Sequence, residues 1–281
     1  MIIWLASYPK SGNTWVRSMI AALLYSENGK FDFELIKNIR QFPDKHYFEN
    51  FTDDFGNFNE IKKYWIRSQE LINLDNKIKI LKTHHLNCKV DNYNFTNNEN
   101  TLATIYIVRD PRNLLNSISN HYSKSLEESK KFLTTPKFIA GYKQNGEFKN
   151  NSIKALIGTW GEHYNFWKIK SNNFLLIKYE DLIKNTEIEL NKITNFLKKF
   201  LNIKTSSDKT KNILETTSFN YLKNLEKKGR FKENAYETLN KKKDFFHLGP
   251  ENDWKTISNK DIIKELEDKF HKEMKELGYL L

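Results

Sequence analysis

The nine residues Ser7 to Trp15, SYPKSGNTW, restrict the fold more than any other stretch of the chain. They follow an apolar run, Ile2 to Ala6, that reads as a buried strand, and they lead into Thr14 to Tyr25, whose apolar residues recur at helical spacing. A buried strand that passes through a tight loop straight into a helix is a building block of α/β folds. Pro9 fixes its own backbone and pushes Tyr8 toward extended geometry, while Gly12 lets the chain turn closely enough to aim amides at a common centre. With the unpaired N–H groups of the helix start, those amides form an anion nest. Lys10 adds a cation, and Ser11, Asn13 and Thr14 add hydrogen-bonding side chains, a set suited to phosphate or sulfate. The nucleotide-triphosphate loop is excluded, because there glycine, lysine and a hydroxyl residue follow one another at the helix start; here the lysine precedes the glycine.

Three further strands are predicted, over Lys77 to Lys82, Leu102 to Val108 and Phe174 to Ile177. Each ends beside a residue able to do chemistry: Thr83-His84-His85 after the first, Arg109 where Asp110-Pro111 halts the second, and Tyr179-Glu180-Asp181 after the third. With right-handed helical crossovers the strands are parallel, and Lys10, His84, Arg109 and Tyr179 gather along one sheet edge, where ligands of open α/β sheets bind. Taken singly, each has a structural alternative: a histidine bonded to a loop carbonyl, or an Arg-Asp pair that is only a salt bridge.

The chain of 281 residues can bury the core of one large α/β domain, and a single domain over 1–281 is expected. Mean hydropathy is low, at -0.71, yet 20 Phe, 13 Tyr and 6 Trp supply a core, so the value reflects surface Lys, Asn and Glu rather than disorder. The formal charge of +11 admits nucleic acid, an anionic surface or an anionic small molecule and selects none of them. Cys88 is the one cysteine, no cluster has zinc-site spacing, the N-terminus lacks a secretion signal, and no apolar run approaches a membrane span. A cytoplasmic protein without a metal centre is the expectation.

Elsewhere, helices are predicted over Asn59 to Asn73, Asn113 to Tyr122, Ser152 to Lys170, Glu187 to Leu201 and Asp208 to Thr216, with a last one N-capped by Ser258. The aromatics between Phe31 and Phe58 form either a loop cover over the sheet or the wall of an acceptor pocket. Glu127 to Asn151 reads as a mobile helix and loop near the substrate entrance. Lys227 to Asp253 is a polar loop carrying Arg230, Lys232 and Lys241-Lys242-Lys243, any of which can be plain solvated charge.

The order of residues in SYPKSGNTW resembles the 5′-phosphosulfate loop of the cytosolic sulfotransferase family, whose donor is 3′-phosphoadenosine 5′-phosphosulfate. That family usually has Thr where Asn13 stands. Lys82-Thr83-His84 is similar to its Lys-Thr-His triplet, and IYIVRDPRNLLNSISNHY to its 3′-phosphate motif, with Arg109 and Ser117 at the required separation. Thr217-Ser218-Phe219 matches a tripeptide that meets the adenosine, and FFHLGPENDW matches the closing motif in part: Gly249, Asp253 and Trp254 are in register, but His247 and Leu248 replace its Arg and Lys.

The resemblance implies a three-layer α/β fold with a central, mostly parallel sheet and a P-loop-like phosphosulfate-binding loop. It implies sulfuryl transfer to a hydroxyl or amine of a small-molecule, glycan or lipid acceptor, with no metal, no nucleic acid and no membrane span. Lys10 and His84 become the catalytic pair, with His85 as the rival base. An imidazole with an unperturbed pKa of about 6.5 suits a general base near neutral pH. Lys10, Ser11, Gly12, Asn13, Thr14, Trp15, Arg109, Ser117, Tyr179, Thr217, Ser218, Phe219, His247 and Gly249 become the donor site, with His247 or one of Lys241 to Lys243 replacing the missing cations. The competing readings are an ATP-dependent, kinase-like phosphotransferase and a basic nucleic-acid binder. Oligomeric state stays open, because the segment after Trp254 lacks a clear copy of the family's short Thr-Val dimer motif.

Overall fold

In the chain's computed structural model, residues 1–140, 143–144, 147–148, 153–231 and 244–281 are described. The first strand, β1 (Ile2–Ser7), is buried along its whole length, and Gly12 turns the chain into α1 (Asn13–Tyr25). Helix α2 (Trp65–Asn73) leads to β2 (Lys79–Thr83). Then β3 (Thr101–Val108) runs into α3 (Pro111–Tyr122), with Asp110 as N-cap and Pro111 in the first turn, where its missing N–H costs nothing. After α4 (Leu126–Thr134) and α5 (Trp160–Ile169) comes β4 (Phe174–Lys178). The remaining helices are α6 (Tyr179–Lys184), α7 (Thr186–Leu197), α8 (Ser207–Thr216), α9 (Phe219–Lys227), α10 (Lys260–Lys269) and α11 (His271–Glu276).

The four strands form one sheet in the order β4-β3-β1-β2, and every pairing is parallel. Register follows the pleat, with Trp4 opposite both Leu81 and Thr104 and Ser7 opposite Ile107. Alternate residues of β1 therefore enter two cores. Ile2, Trp4 and Ala6 join Tyr106, Leu114, Trp160, Trp167 and Phe270 on one face; Ile3 and Leu5 join Val16, Ile20, Ile105, Ile193 and Ile213 on the other. The result is the expected three-layer α/β arrangement. β1 leads to β2 on one side while β3 lies on the other, so the chain's path reverses between the C-terminal ends of β1 and β3 and leaves a crevice there.

Local expectations fail where tertiary pairing intervenes. The predicted helix over 152–170 begins only at Trp160. Lys154–Leu156 instead pairs antiparallel with Phe138–Ala140, Gly158 has φ 59°, and Thr159 and Glu162 form a capping box that fixes the true start. The helix over 59–73 is broken by a tighter turn at Lys62–Tyr64, and the last helix is capped by Asn259 rather than Ser258 and interrupted at Phe270. Of the aromatics offered as an acceptor wall, Phe31, Phe33, Phe42, Phe48 and Phe55 are buried in the two cores. Phe51 and Phe58 stay at the periphery, stacked on Tyr64 and against Phe138. Among the described residues, no helix is long and apolar enough to cross a membrane.

Candidate active site

Along the C-terminal edge of the sheet the strand tips follow in the order Tyr179, Arg109, Ser7 to Lys10, His84. The loop after β1 turns with two residues at positive φ, Lys10 at 69° and Gly12 at 102°. The second was legible in the sequence; the first was not, because a lysine gives no local sign of left-handed geometry. A side chain on Gly12 would stand 2.6 Å from Tyr179 Cδ2, so glycine also lets Tyr179 close over the loop. Helix α1 has no side-chain N-cap and no acidic residue in its first turn, which leaves its amides and partial positive charge to an anion.

Lys10 and Arg109 meet: Arg109 Nη1 donates to the Lys10 carbonyl at 3.3 Å, and the guanidinium lies over the Tyr179 ring at 4.1 Å. Trp15 meets the same ring edge-on at 5.8 Å. One face of the Tyr179 ring is thus covered by Arg109. Lys10 Nζ reaches His121 Nδ1 at 3.4 Å and sits 3.8 Å above the Phe245 ring. Burial, with Arg109 close by, brings the Lys10 ammonium down to about 7. Burial, reinforced by Lys10, His84 and Lys82, holds the His121 ring neutral, with its pKa down to about 2.

The two adjacent histidines separate cleanly. His84 is half-buried and its Nδ1 lies 2.8 Å from the Ser7 carbonyl and 3.3 Å from the Ser7 hydroxyl. A carbonyl only accepts, so Nδ1 carries the proton and Nε2 is the basic nitrogen of the neutral ring. His85 points the other way. It is fully buried, stacked on Phe95 at 4.2 Å, bonded through Nδ1 to the Leu86 carbonyl, and held neutral by burial with its pKa down to about 3. It belongs to the core, and the rival assignment of the base to His85 fails.

The neighbouring arginines separate in the same way. Arg112 is buried against Asp110 at 2.7 Å, paired with Glu267, bonded to the Tyr279 carbonyl and stacked on Trp254 at 3.9 Å, all of it structural. Arg109 keeps its Nε buried without a partner. Ser11 Oγ and Trp15 Nε1 are buried and unpartnered too. Such atoms are rare in folded proteins, and here three that can donate flank one loop, as a phosphate-bearing nucleotide requires. The donor set of this chain therefore fits the donor nucleotide expected from the sequence.

Asn13 departs from expectation: its amide turns away from the loop toward β1, donating to the Leu5 carbonyl and the Ser7 hydroxyl. Thr14 is buried in the first turn of α1. Ser117 is half-buried one helical turn before His121, and so on the face that His121 presents to Lys10. Thr217 Oγ1 bonds back to the Ile213 carbonyl, and Ser218 caps α9. Phe219 and Gly249 come together, since a side chain on Gly249 would stand 2.3 Å from Phe219 Cε2. His247 is exposed beside a cavity of about 550 Å³ that it lines with Asn116, Ser119, Asn120 and Lys124. Lys124 is thus a cation the sequence did not suggest, whereas Lys232 and Lys241 to Lys243 lie outside the described residues, as does part of the 127–151 segment.

Sequence reading also missed the brace behind the site. From α5, Trp160 Nε1 donates to the Arg109 carbonyl at 3.1 Å, His163 Nε2 to the His84 carbonyl at 3.1 Å, and Trp167 Nε1 to the His85 carbonyl at 3.0 Å. Three polar tips on an otherwise apolar stripe, at positions 160, 163 and 167, were the available signal. Among the described residues, no group of three or more His, Cys, Asp or Glu could hold a metal.

Comparison with known proteins places this geometry. A family model described as the sulfotransferase domain matches residues 2–278. Sulfotransferase 1E1 of Homo sapiens is 28% identical over 286 residues, covering 97% of this chain and 83% of the human protein. Flavonol 3-sulfotransferase of Flaveria bidentis is 23% identical over 290 residues, covering 99% of this chain and 83% of the plant protein. Among solved structures, mouse sulfotransferase SULT7A1 complexed with PAP superposes with a TM-score of 0.61 at 21% identity, over 98% of this chain and 84% of that one, a likeness of fold.

Proposed function

This chain belongs to the sulfotransferase domain family, and on that premise we propose that it moves a sulfuryl group from 3′-phosphoadenosine 5′-phosphosulfate to a hydroxyl or amine of a small acceptor, the whole of 1–281 acting as one domain. The observation that carries this reading is the hydrogen bond between Arg109 and the Lys10 carbonyl, which brings two cations together at the crevice between β1 and β3 beside His84. Bound donor supplies an activated sulfuryl group on a phosphate leaving group. The N–H groups at the start of α1, with Ser11 and Thr14, hold the 5′-phosphate, and Lys10 neutralises the charge that grows as the bond to sulfur breaks. His84 Nε2 accepts the proton of the attacking hydroxyl or amine. Arg109 and Ser117 take the 3′-phosphate, and Trp15, Tyr179, Phe219 and Gly249 enclose the base, with His247 and Lys124 at the outer rim. Steroid-like and phenolic alcohols are the acceptors to try first, since relatives carry the names 3-alpha-hydroxysteroid sulfotransferase and flavonol 3-sulfotransferase.

The test pairs binding with turnover. Thermal stability should rise with 3′,5′-adenosine bisphosphate and not with Mg-ATP. Lys10→Ala and His84→Ala should each abolish sulfuryl transfer, and His84→Ala should still bind the bisphosphate. Stabilisation by Mg-ATP alone, or full activity in both variants, overturns the proposal.

A further inference from the structure

Asn13 stands in the anion loop but serves the other side of it. The residue is 4% exposed, and its Nδ2 donates to the Leu5 carbonyl at 3.1 Å and to Ser7 Oγ at 3.2 Å. Because a carbonyl can only accept, the Leu5 contact fixes which way the amide is turned and commits both of its hydrogens to β1. The atom left over, Oδ1, is a buried acceptor without a partner, and an acceptor has nothing to offer a phosphate oxygen. Ser7, fully buried, turns its carbonyl and its hydroxyl to His84 Nδ1 at 2.8 and 3.3 Å.

We propose that Asn13 is a positioning residue for His84 rather than a ligand of the donor. Through the Ser7 hydroxyl it holds the aim of the imidazole, and so joins the anion loop and the base into one unit. The Ser7 carbonyl accepts from Nδ1–H and sets the tautomer, while Asn13, donating to Ser7 Oγ, holds that hydroxyl against the same nitrogen. Without Asn13 the Ser7 side chain loses this anchor, and the imidazole loses the side contact that keeps Nε2 aimed. The His163 bond to the His84 carbonyl holds the backbone at the other end, leaving ring rotation as what Asn13 controls. A misplacement of about 1 Å at a reacting group costs on the order of a hundredfold in rate.

What the base does rests on the sulfotransferase reading; how it is held does not, and the experiment keeps the two apart. Imidazole nitrogen NMR on the free protein, with His84 assigned by its loss in His84→Ala, should give a sharp, slowly exchanging Nδ1–H in the wild type and a broadened, faster-exchanging one in Asn13→Ala; an unchanged signal in a folded Asn13→Ala overturns the proposal. Calorimetry should find 3′,5′-adenosine bisphosphate affinity within about threefold of wild type while kcat falls tenfold to a hundredfold, and Asn13→Thr, which keeps one donor, should recover part of the loss. An Nε2–H tautomer in the wild type overturns the proposal even if the variants fail to fold. So does a tenfold loss of bisphosphate affinity with kcat unchanged. No bisphosphate binding by the wild type sinks the sulfotransferase reading instead, and the exchange of the His84 ring N–H still decides the role of Asn13.

Discussion

Replacing Arg109 and Arg112 in turn separates a ligand-binding guanidinium from a structural one. Among the described residues the Arg109 side chain makes one long hydrogen bond, 3.3 Å to the Lys10 carbonyl, its Nε has no partner, and its other contact is the Tyr179 ring at 4.1 Å, so Arg109→Ala takes about 1 kcal/mol from the fold. If its fork holds the 3′-phosphate, the loss is one or more charge-assisted hydrogen bonds of about 1.5–3 kcal/mol each. At 1.36 kcal/mol per factor of ten, one such bond is worth about 13-fold to 160-fold. Arg112 is the reverse case. Its partner Asp110 is only 5% exposed, and removing one member of a buried ion pair costs about 3–5 kcal/mol of stability because the other is left uncompensated. Calorimetric titration with 3′,5′-adenosine bisphosphate and with 5′-AMP gives the preference for the extra phosphate, and urea unfolding gives the stability. Arg109→Ala should lower the preference by that factor and leave the urea midpoint near wild type; Arg112→Ala should shift the midpoint strongly and keep the preference in the molecules that remain folded. Arg109→Lys should restore only part, since an ammonium lacks the fork. An unchanged preference in Arg109→Ala, or an equal loss in both variants, refutes the assignment.

Three further outcomes follow from the same geometry. Because the Lys10 ammonium is brought down to about 7 in the ligand-free protein and a bound phosphate raises it again, nucleotide binding at pH 8 should take up close to one proton, and affinity should weaken as pH rises above 7; titrations in buffers of different ionisation enthalpy measure this, and zero uptake, or equal uptake in Lys10→Met, contradicts it. His85, His163 and His121 are held by burial at about 3, 4 and 2, so between pH 6.5 and 4 the unfolded chain binds up to three more protons than the folded one, and stability should fall as pH falls, by at most ~4 kcal/mol per unit. Urea midpoints at pH 7, 6 and 5 test this, and a flat profile rejects it. Gly12→Ala, at φ 102° and 2.6 Å from Tyr179, should push Tyr179 and Arg109 aside and cost tenfold or more in bisphosphate affinity, whereas Gly229→Ala, at φ 72° with nothing within 4 Å, should cost about 1 kcal/mol of stability and no affinity.

Much of the site was legible because its parts are local. A proline, a glycine and a helix start within SYPKSGNTW make an anion nest whatever the remainder of the chain does, and strand periodicity alone placed Lys10, His84, Arg109 and Tyr179 at successive strand ends. The two-sided burial of β1 was likewise written in its unbroken apolar run, which is why the three-layer α/β fold could be read before any contact was known.

Tertiary structure alone decided between neighbours of the same chemistry. His84 and His85 differ by one residue, and the chain direction at the end of β2 sends one to Ser7 and the other into the Phe95 stack. Arg109 and Arg112 stand three residues apart, and Asp110, Glu267, Trp254 and the Tyr279 carbonyl together make the second structural. The inward turn of Asn13, the left-handed Lys10 and the brace from α5 depend on partners supplied by other elements, as does the strand at Lys154–Leu156 that displaced a predicted helix. Backbone chemistry and periodicity are properties of adjacent residues and survive in the sequence; the partner that satisfies a buried polar group comes from wherever the fold delivers it, and only packing determines that.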